Sequence, residues 1–485
     1  MHLLGVDVGT GGARAVVCDP QGEVIAHAEE AFPSEPHHAL PSGWFEQHPS
    51  GWWTATKRCL RHVIHRIRQD SIEAEAIAGL SITSTSGTAC VLDDRGEVLR
   101  PALMYSDSRA SAEAEEANLV GAALTEKLGY RFSSSFALPK LLWLARHEPE
   151  RFRRASHFLS PTDFIIGRLS GRFGFTDYTN ALKMGYDLID GRWPEFIESD
   201  LGIPREPLPR VVAPGAEVGQ VCVQAAEQTG LAVGTPILAG MTDGCASQVS
   251  TGAVAPGQWA STLGTTLVVK GVTADLVRDP LGRIYCHRHP DGHWMPGGAS
   301  NTGGECIARR FSAGNLDRLN AGALDRAPTS LIVYPLVQRG ERFPFVKPDA
   351  EGFLVGRPAD DAELYAAHLE GVAYVERLGY TVLKELGAEI GDELHAAGGA
   401  TNSRAWLQLR ADILGKALLV ARTSGGALGA AVIAAGSTVY DGLVRAARAM
   451  ARISTRVEPR PSLQTPYDER FARFCAICTD RGYLE

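Results

Sequence analysis

Two stretches half the chain apart share one pattern. GVDVGTGGARAVV (residues 5–17) and STLGTTLVV (261–269) each run apolar, turn on Gly-Thr, and run apolar again. Each reads as strand, tight turn, strand. The backbone N–H groups of such a turn converge and carry partial positive charge, so they suit phosphate oxygens. A chain of 485 residues exceeds what one hydrophobic core usually serves. The repeat therefore predicts two topologically similar domains, each offering one such loop to a shared cleft. Their boundary is expected near 250, where Gly252–Gly257 combines glycine, proline and a loss of periodicity.

The first stretch also carries Asp7 at the end of its apolar run. A carboxylate there is costly to bury unless something pairs with it. Beside a phosphate-binding turn it is electrostatically wrong unless a cation intervenes. Mg²⁺ takes one or two carboxylates together with phosphate oxygens and water, so Asp7 is a candidate metal ligand; the plainer alternative is a β-turn with an exposed carboxylate. A second aspartate, Asp243, ends another strand-like run, ILAGMTDG, ahead of a helix. An acceptor hydroxyl in phosphoryl transfer needs a carboxylate to orient it and take its proton. Asp243 is the candidate for that work, with helix N-capping as its plainer role.

Other features bound the reading. A net charge of −8 gives no basic footprint for nucleic acid or an anionic membrane. No signal peptide is visible at the start, and GALGAAVIAAG is too short to span a bilayer. Nine scattered cysteines fit a reduced, cytoplasmic protein. CAIC at 475–478 is a single CxxC, and His287, His289 and His293 lack an obvious completing ligand, so both read as structural or surface features. Pro49 opens a helix with Trp53, Leu60, Val63, Ile64 and Ile67 on one face. A Pro-, Ser- and His-rich loop precedes it, and Trp44 within that loop is a candidate wall for stacking a sugar. Residues 110–170 read as mainly helical, and a last helix is expected near 466–479.

Taken together, GVDVGTGGARA, GWFEQHPSGWW, TSTSGT, MYSDSRA, PKLLWLARHEPERF, GTPILAGMTDG, STLGTTLVV, GGASNTGG, HLEGVAYVERLGY, AAGGATNSRAWLQLRADILG and ALGAAVIAA resemble, in order, the FGGY family of carbohydrate kinases. The resemblance implies an α/β chain of two actin-like ATPase (ribonuclease H-like) domains flanking a cleft. Residues 1–250 would form the sugar-binding domain and 251–485 the nucleotide-binding one, with about 440–485 a candidate to pack back on the first. ATP and Mg²⁺ are the implied cofactors. Asp7 would serve the metal, and Thr10, Gly11 and Arg14 the triphosphate. Gly264, Thr265 and Thr266 would hold phosphates from the second domain. Gly398, Gly399, Asn402 and Ser403 would line the adenosine site. Asp243 would be the base, and Ser86, Glu46, Gln47, Asp107 and Arg109 would meet the sugar.

Three departures from the family pattern stand out. Gly11 replaces a common Ser or Thr, His48 a usual Asp, and Ser424-Gly425-Gly426 stands where a Glu is common. TSTSGT, NALKMGYD and YPLVQRGERFP look most like D-ribulose kinases, whereas GWFEQHP and SDSR look like the xylulokinase group. The expected reaction is transfer of the γ-phosphoryl of ATP to a terminal hydroxyl of a ketopentose, D-ribulose first and D-xylulose second. The rivals are a catalytically silent sugar sensor and an actin-like filament former. A homodimer, the commonest closed assembly, is the default oligomer.

Overall fold

The computed structural model describes residues 1–33 and 40–484; residues 34–39 of the Pro/Ser/His-rich loop fall outside them. The chain divides into two compact units. One comprises Met1–Gly252, His287–Gly292 and Thr423–Arg452, the other Ala253–Cys286, His293–Arg422 and Ile453–Glu485. The stretch from about 440 is thus split, its part through Arg452 grouping with the first unit and the rest with the second.

In the first unit a six-stranded sheet has the order Glu217–Gln220, Pro236–Leu238, Ile77–Ser84, His2–Val8, Gly12–Cys18, Val24–Ala31. The opening strand pairs antiparallel with Gly12–Cys18, setting Asp7 opposite Arg14. On its other side it runs parallel to Ile77–Ser84, with Asp7 opposite Thr83. Pro236–Leu238 extends the parallel block and Glu217–Gln220 closes it antiparallel. Asp19 closes the second turn by accepting the N–H groups of Gln21 and Glu23, a local bond that Asp makes readily.

The helix Pro49–Gln69 covers one face of this sheet, burying Trp52, Trp53, Leu60, Val63, Ile64 and Ile67 at helical spacing. His48 stands at its N-cap and its ring nitrogen accepts the Ser50 N–H, a capping bond of the kind an aspartate makes. The small-residue helix Gly426–Thr438 packs against the opening strand. The approach is so close that a Cβ on Gly5 would lie 1.9 Å from the Ala427 carbonyl oxygen. TSTSGT is followed by a short strand, Cys90–Leu92, that pairs with His157–Leu159 rather than with the strand before it. Residues 110–170 are largely helical, as their pattern implies.

The second unit repeats the plan. Trp294–Ser300, Leu267–Gly271 and Trp259–Leu263 run antiparallel, Glu393–Ala397 and Ala417–Ala421 continue parallel, and Ile453–Val457 closes antiparallel. Ile284–Arg288 adds a seventh strand at the other edge. The two Gly-Thr turns therefore occupy equivalent places, each joining a central strand to its antiparallel neighbour. The long helix Asp361–Glu385 is capped by Asp360 and carries the buried Glu376, which forms a two-pronged ion pair with Arg410 at 2.8 and 2.9 Å. Arg410 also donates to Ser261, tying two helices to a central strand. The C-terminal helix Gln464–Asp480 docks through Tyr467, whose hydroxyl donates to Glu370.

All nine cysteines are free, Cys475 and Cys478 included. Among the described residues no group of three His, Cys, Asp or Glu side chains could hold a metal, and no helix is long and apolar enough to cross a membrane.

Because Gly5 lies against helix backbone that cannot yield, Gly5→Ala is expected to destabilise the protein by about 2 kcal/mol or more through overpacking. Gly314→Ala, with open space around the added atom, serves as control and shifts stability by about 0.5 kcal/mol or less. Urea unfolding of the two variants side by side reads this directly, and equal midpoints would contradict the packing.

Candidate active site

Three parallel strands, Pro236–Leu238, Ile77–Ser84 and His2–Val8, lie side by side in the first unit and end on the same edge. Asp7 sits at the end of one outer strand and Asp243 follows the other, with Ile77–Ser84 between. Two strand spacings put their backbones about 10 Å apart. Ligands of open α/β sheets bind outside the carboxyl ends of such strands.

Asp7 is buried, with 8% of its surface exposed. Its Oδ1 has no hydrogen-bond partner among the described residues, and Oδ2 lies 3.7 Å from the Arg14 guanidinium, which is mainly engaged with Glu29 at 2.6 Å. Burial pushes the Asp7 carboxyl up to about 7; the negative charge of Asp243 adds to the shift and Arg14 opposes it. The two aspartates therefore feel one another. Gly426 forms the wall behind Asp7, where a Cβ would lie 2.7 Å from the carboxylate carbon. That contact accounts physically for glycine at position 426. The backbone N–H of Gly425 donates to the Ser250 hydroxyl, about two turns along the helix that Asp243 begins.

Asp243 is the first residue of the helix Asp243–Ser250; Thr242 takes the N-cap position. The Asp243 Oδ1 accepts the Gly244 N–H at 2.7 Å.

The remaining candidates fall into three groups. Thr10 and Gly11 occupy the exposed tip of the first turn, where the Thr10 carbonyl accepts from Gln47 at 2.7 Å and Gly11 has open space around it. Gln47 spends its other end on the Trp52 indole, so it braces the turn. Glu46, Asp107 and Arg109 bind one another: Arg109 reaches Asp107 at 2.7 Å and Glu46 at 2.8 Å, and Arg100 joins Glu46 at 2.5 Å. Trp44 lies flat under the Arg109 guanidinium at 3.6 Å, so one face of the indole is taken by a cation. Ser86 lies just beyond Ile77–Ser84, flanked by Thr85 and Thr88, whose buried hydroxyls have no partner among the described residues.

In the second unit, the carbonyls of Gly264 and Thr265 accept from Gly304 and Glu305 at the start of a helix, while Thr266 closes the turn. Gly398 has φ +87° and lies against Leu263 backbone, so the Gly398-Gly399 turn and the Gly264 turn meet at the ends of neighbouring parallel strands. Asn402 ends the short helix Gly399–Asn402, and Ser403 caps the next one while donating to Asn320. Sequence reading passed over Gly303-Gly304 as the floor of this turn, and over Gly426 as the wall behind Asp7. In both, a glycine pair, Gly303-Gly304 and Gly425-Gly426, stands where the structure begins a helix, and that pair was the available signal.

Comparison with known proteins adds to this geometry. The N-terminal domain of the FGGY family of carbohydrate kinases matches residues 2–250 and the C-terminal domain residues 260–437. The chain is 30% identical to the xylulose kinase of Escherichia coli (strain K12), over 89% of each, and 30% identical to that of Streptomyces rubiginosus, over 99% of this chain and 97% of the relative. The crystal structure of xylulose kinase from Rhodospirillum rubrum superposes with a TM-score of 0.87 at 27% identity, covering 99% of both chains. With both domains matched in order on a repeated actin-like ATPase plan, the chain belongs to the FGGY family of carbohydrate kinases and is an ATP-dependent sugar kinase.

Proposed function

We propose that the protein phosphorylates a terminal hydroxyl of a ketopentose, with D-xylulose ahead of D-ribulose. The observation that carries this reading is the pair Asp7 and Asp243, set at one edge of three parallel strands and electrostatically coupled. The relatives reported above bear the name xylulose kinase, which favours D-xylulose over the D-ribulose expected first from the sequence. The unpartnered hydroxyls of Thr85 and Thr88 beside Ser86 suit a polyhydroxylated acceptor. An epimer that leaves one such group unpaired loses about 1–3 kcal/mol, enough to rank pentuloses.

Kinases of this family use ATP, generally with Mg²⁺. The residues fit the cation: a buried carboxylate with one unsatisfied oxygen, raised in pKa by desolvation, is stabilised by any positive charge brought against it. Asp7 would hold the ion. When bound, the ion neutralises charge on the transferring phosphoryl group. Asp243 orients the acceptor hydroxyl and takes its proton as the bond to phosphorus forms. Ser86 and its neighbours orient the sugar. In the first unit Arg14, Thr10 and Gly11 are the residues that would serve phosphate; in the second unit Gly264, Thr265 and Thr266 would serve phosphate and Gly398, Gly399, Asn402 and Ser403 the nucleoside. Glu46, Asp107 and Arg109 act through one another to hold the loop around Trp44. The nine free thiols suit a reducing compartment.

Asp243→Asn is expected to lower kcat by about 10²–10⁴-fold, the ordinary worth of a general base, with KM for ATP within about twofold. ADP release on a panel of pentuloses, pentitols and glycerol measures both this and the substrate. Wild-type turnover in the variant would contradict the base, and a preference for glycerol or a pentitol would contradict the ketopentose.

A proton competes with the cation at Asp7. Below its folded pKa of about 7 the carboxyl is protonated, so the Mg²⁺ concentration for half-maximal activity should rise as pH falls from 8 to 6. Asp7→Asn should need much more Mg²⁺ and lose that pH slope. A slope that survives in Asp7→Asn would place the titrating group elsewhere.

A further inference from the structure

One peptide unit, between Met241 and Thr242, leads into Asp243, and it is gripped at both ends. Its carbonyl accepts from the Thr83 hydroxyl at 2.7 Å, and its N–H donates to the Thr179 hydroxyl at 2.9 Å. Both threonines are fully buried. Thr83 lies opposite Asp7 in the sheet, so one end of the grip belongs to the strand between the two aspartates. The other end comes from outside the sheet, from the short helix Tyr178–Ala181.

The polarity of this arrangement is fixed by Asp177. Its carboxylate accepts from the Thr179 hydroxyl at 2.5 Å, the Thr179 N–H at 2.7 Å, the Asn180 N–H at 3.1 Å and the Asn180 side-chain amide at 2.6 Å. A hydroxyl has one proton. Thr179 gives it to Asp177, which leaves only a lone pair to face the Thr242 N–H. Asp177 is buried, with burial raising its pKa and these four donors opposing the rise.

We propose that Asp177 and Thr179 are positioning residues for Asp243: by fixing the direction of the Thr179 hydroxyl they lock the Met241–Thr242 peptide, and so aim the carboxylate that begins the next helix. This rests on the reading of Asp243 as the base. Thr179→Val keeps the shape, removes the hydroxyl and orphans a buried N–H. Asp177→Asn offers a donor where only an acceptor works. A misplaced catalytic group costs about 10²-fold for a shift on the order of 1 Å. Thr179→Val is therefore expected to lower kcat by about that factor with KM for ATP within about twofold, and Thr179→Ser, which keeps the hydroxyl, to stay within about threefold of wild type.

The test is kcat and KM for these variants, for Asp243→Asn, and for the Thr179→Val/Asp243→Asn double variant, with hydrogen exchange of the 240–246 segment. Once Asp243 is gone, Thr179→Val should cost no more than about threefold, because residues acting as a unit are not additive. Faster exchange in Thr179→Val and restored protection in Thr179→Ser complete the expected result. Thr83→Val, which frees the other end of the same peptide, should show the same signature and stands in if Thr179→Val does not fold. Near-wild-type kcat in the threonine-to-valine variants, or a full additive loss in the double variant, would overturn the proposal. Wild-type kcat in Asp243→Asn would instead sink the base assignment on which it stands.

Discussion

A carboxylate buried at the end of a strand, one oxygen without a partner among the described residues, is the constraint from which the rest of the first unit follows. Asp7 loses solvation, gains little from a distant Arg14, and has the like charge of Asp243 in range. Folding alone does not favour such a group; a ligand carrying positive charge does. The protein nevertheless closes tightly around it. Gly5 and Gly426 let the helix Gly426–Thr438 lie directly on the strand that carries Asp7. Ser250 then ties the start of that helix to the helix begun by Asp243. Backbone therefore forms much of the wall around Asp7.

The same plan serves a different end in the second unit. There the central turn carries Gly264-Thr265-Thr266 and no aspartate, and the neighbouring parallel strand ends in Gly398-Gly399. Strand order and sense are shared, and both units carry a Gly-Thr turn, but the carboxylates Asp7 and Asp243 stand at the strand ends of the first unit alone. Buried charge in the second unit, Glu376 with Arg410 above all, is paired inside the fold. Breaking such a pair from one side leaves an uncompensated ion, so it binds the two helices and the central strand into one cooperative block.

Much of this was legible in the sequence, for identifiable reasons. The Gly-Thr turns are bounded by apolar runs, and tight turns betray themselves locally. Pro49 and the apolar spacing after it set the helix Pro49–Gln69. Asp7 and Asp243 were visible because each interrupts an apolar run at its end. What escaped depends on partners distant in the chain. Cys90–Leu92 pairs with His157–Leu159, which no local pattern declares. The family resemblance implied that Glu46, Asp107 and Arg109 meet the sugar; in the fold Arg109 pairs with Asp107 and with Glu46, 63 residues away, a partnership that no local pattern declares. Nothing local marks Thr179; the role proposed for it rests on a hydrogen bond to Thr242, 63 residues on. Substrate identity is the least legible of all, since it depends on which hydroxyls a handful of side chains leave unpaired.

The account depends on Asp7 and Asp243 serving one ligand assembly. A crystal structure with Mn²⁺, a non-hydrolysable ATP analogue and D-xylulose tests that most directly. It should show an anomalous peak beside the Asp7 carboxylate and a terminal sugar hydroxyl within about 2.6–3.2 Å of Asp243. Cation density remote from Asp7, or a sugar bound with no hydroxyl near Asp243, would contradict the account.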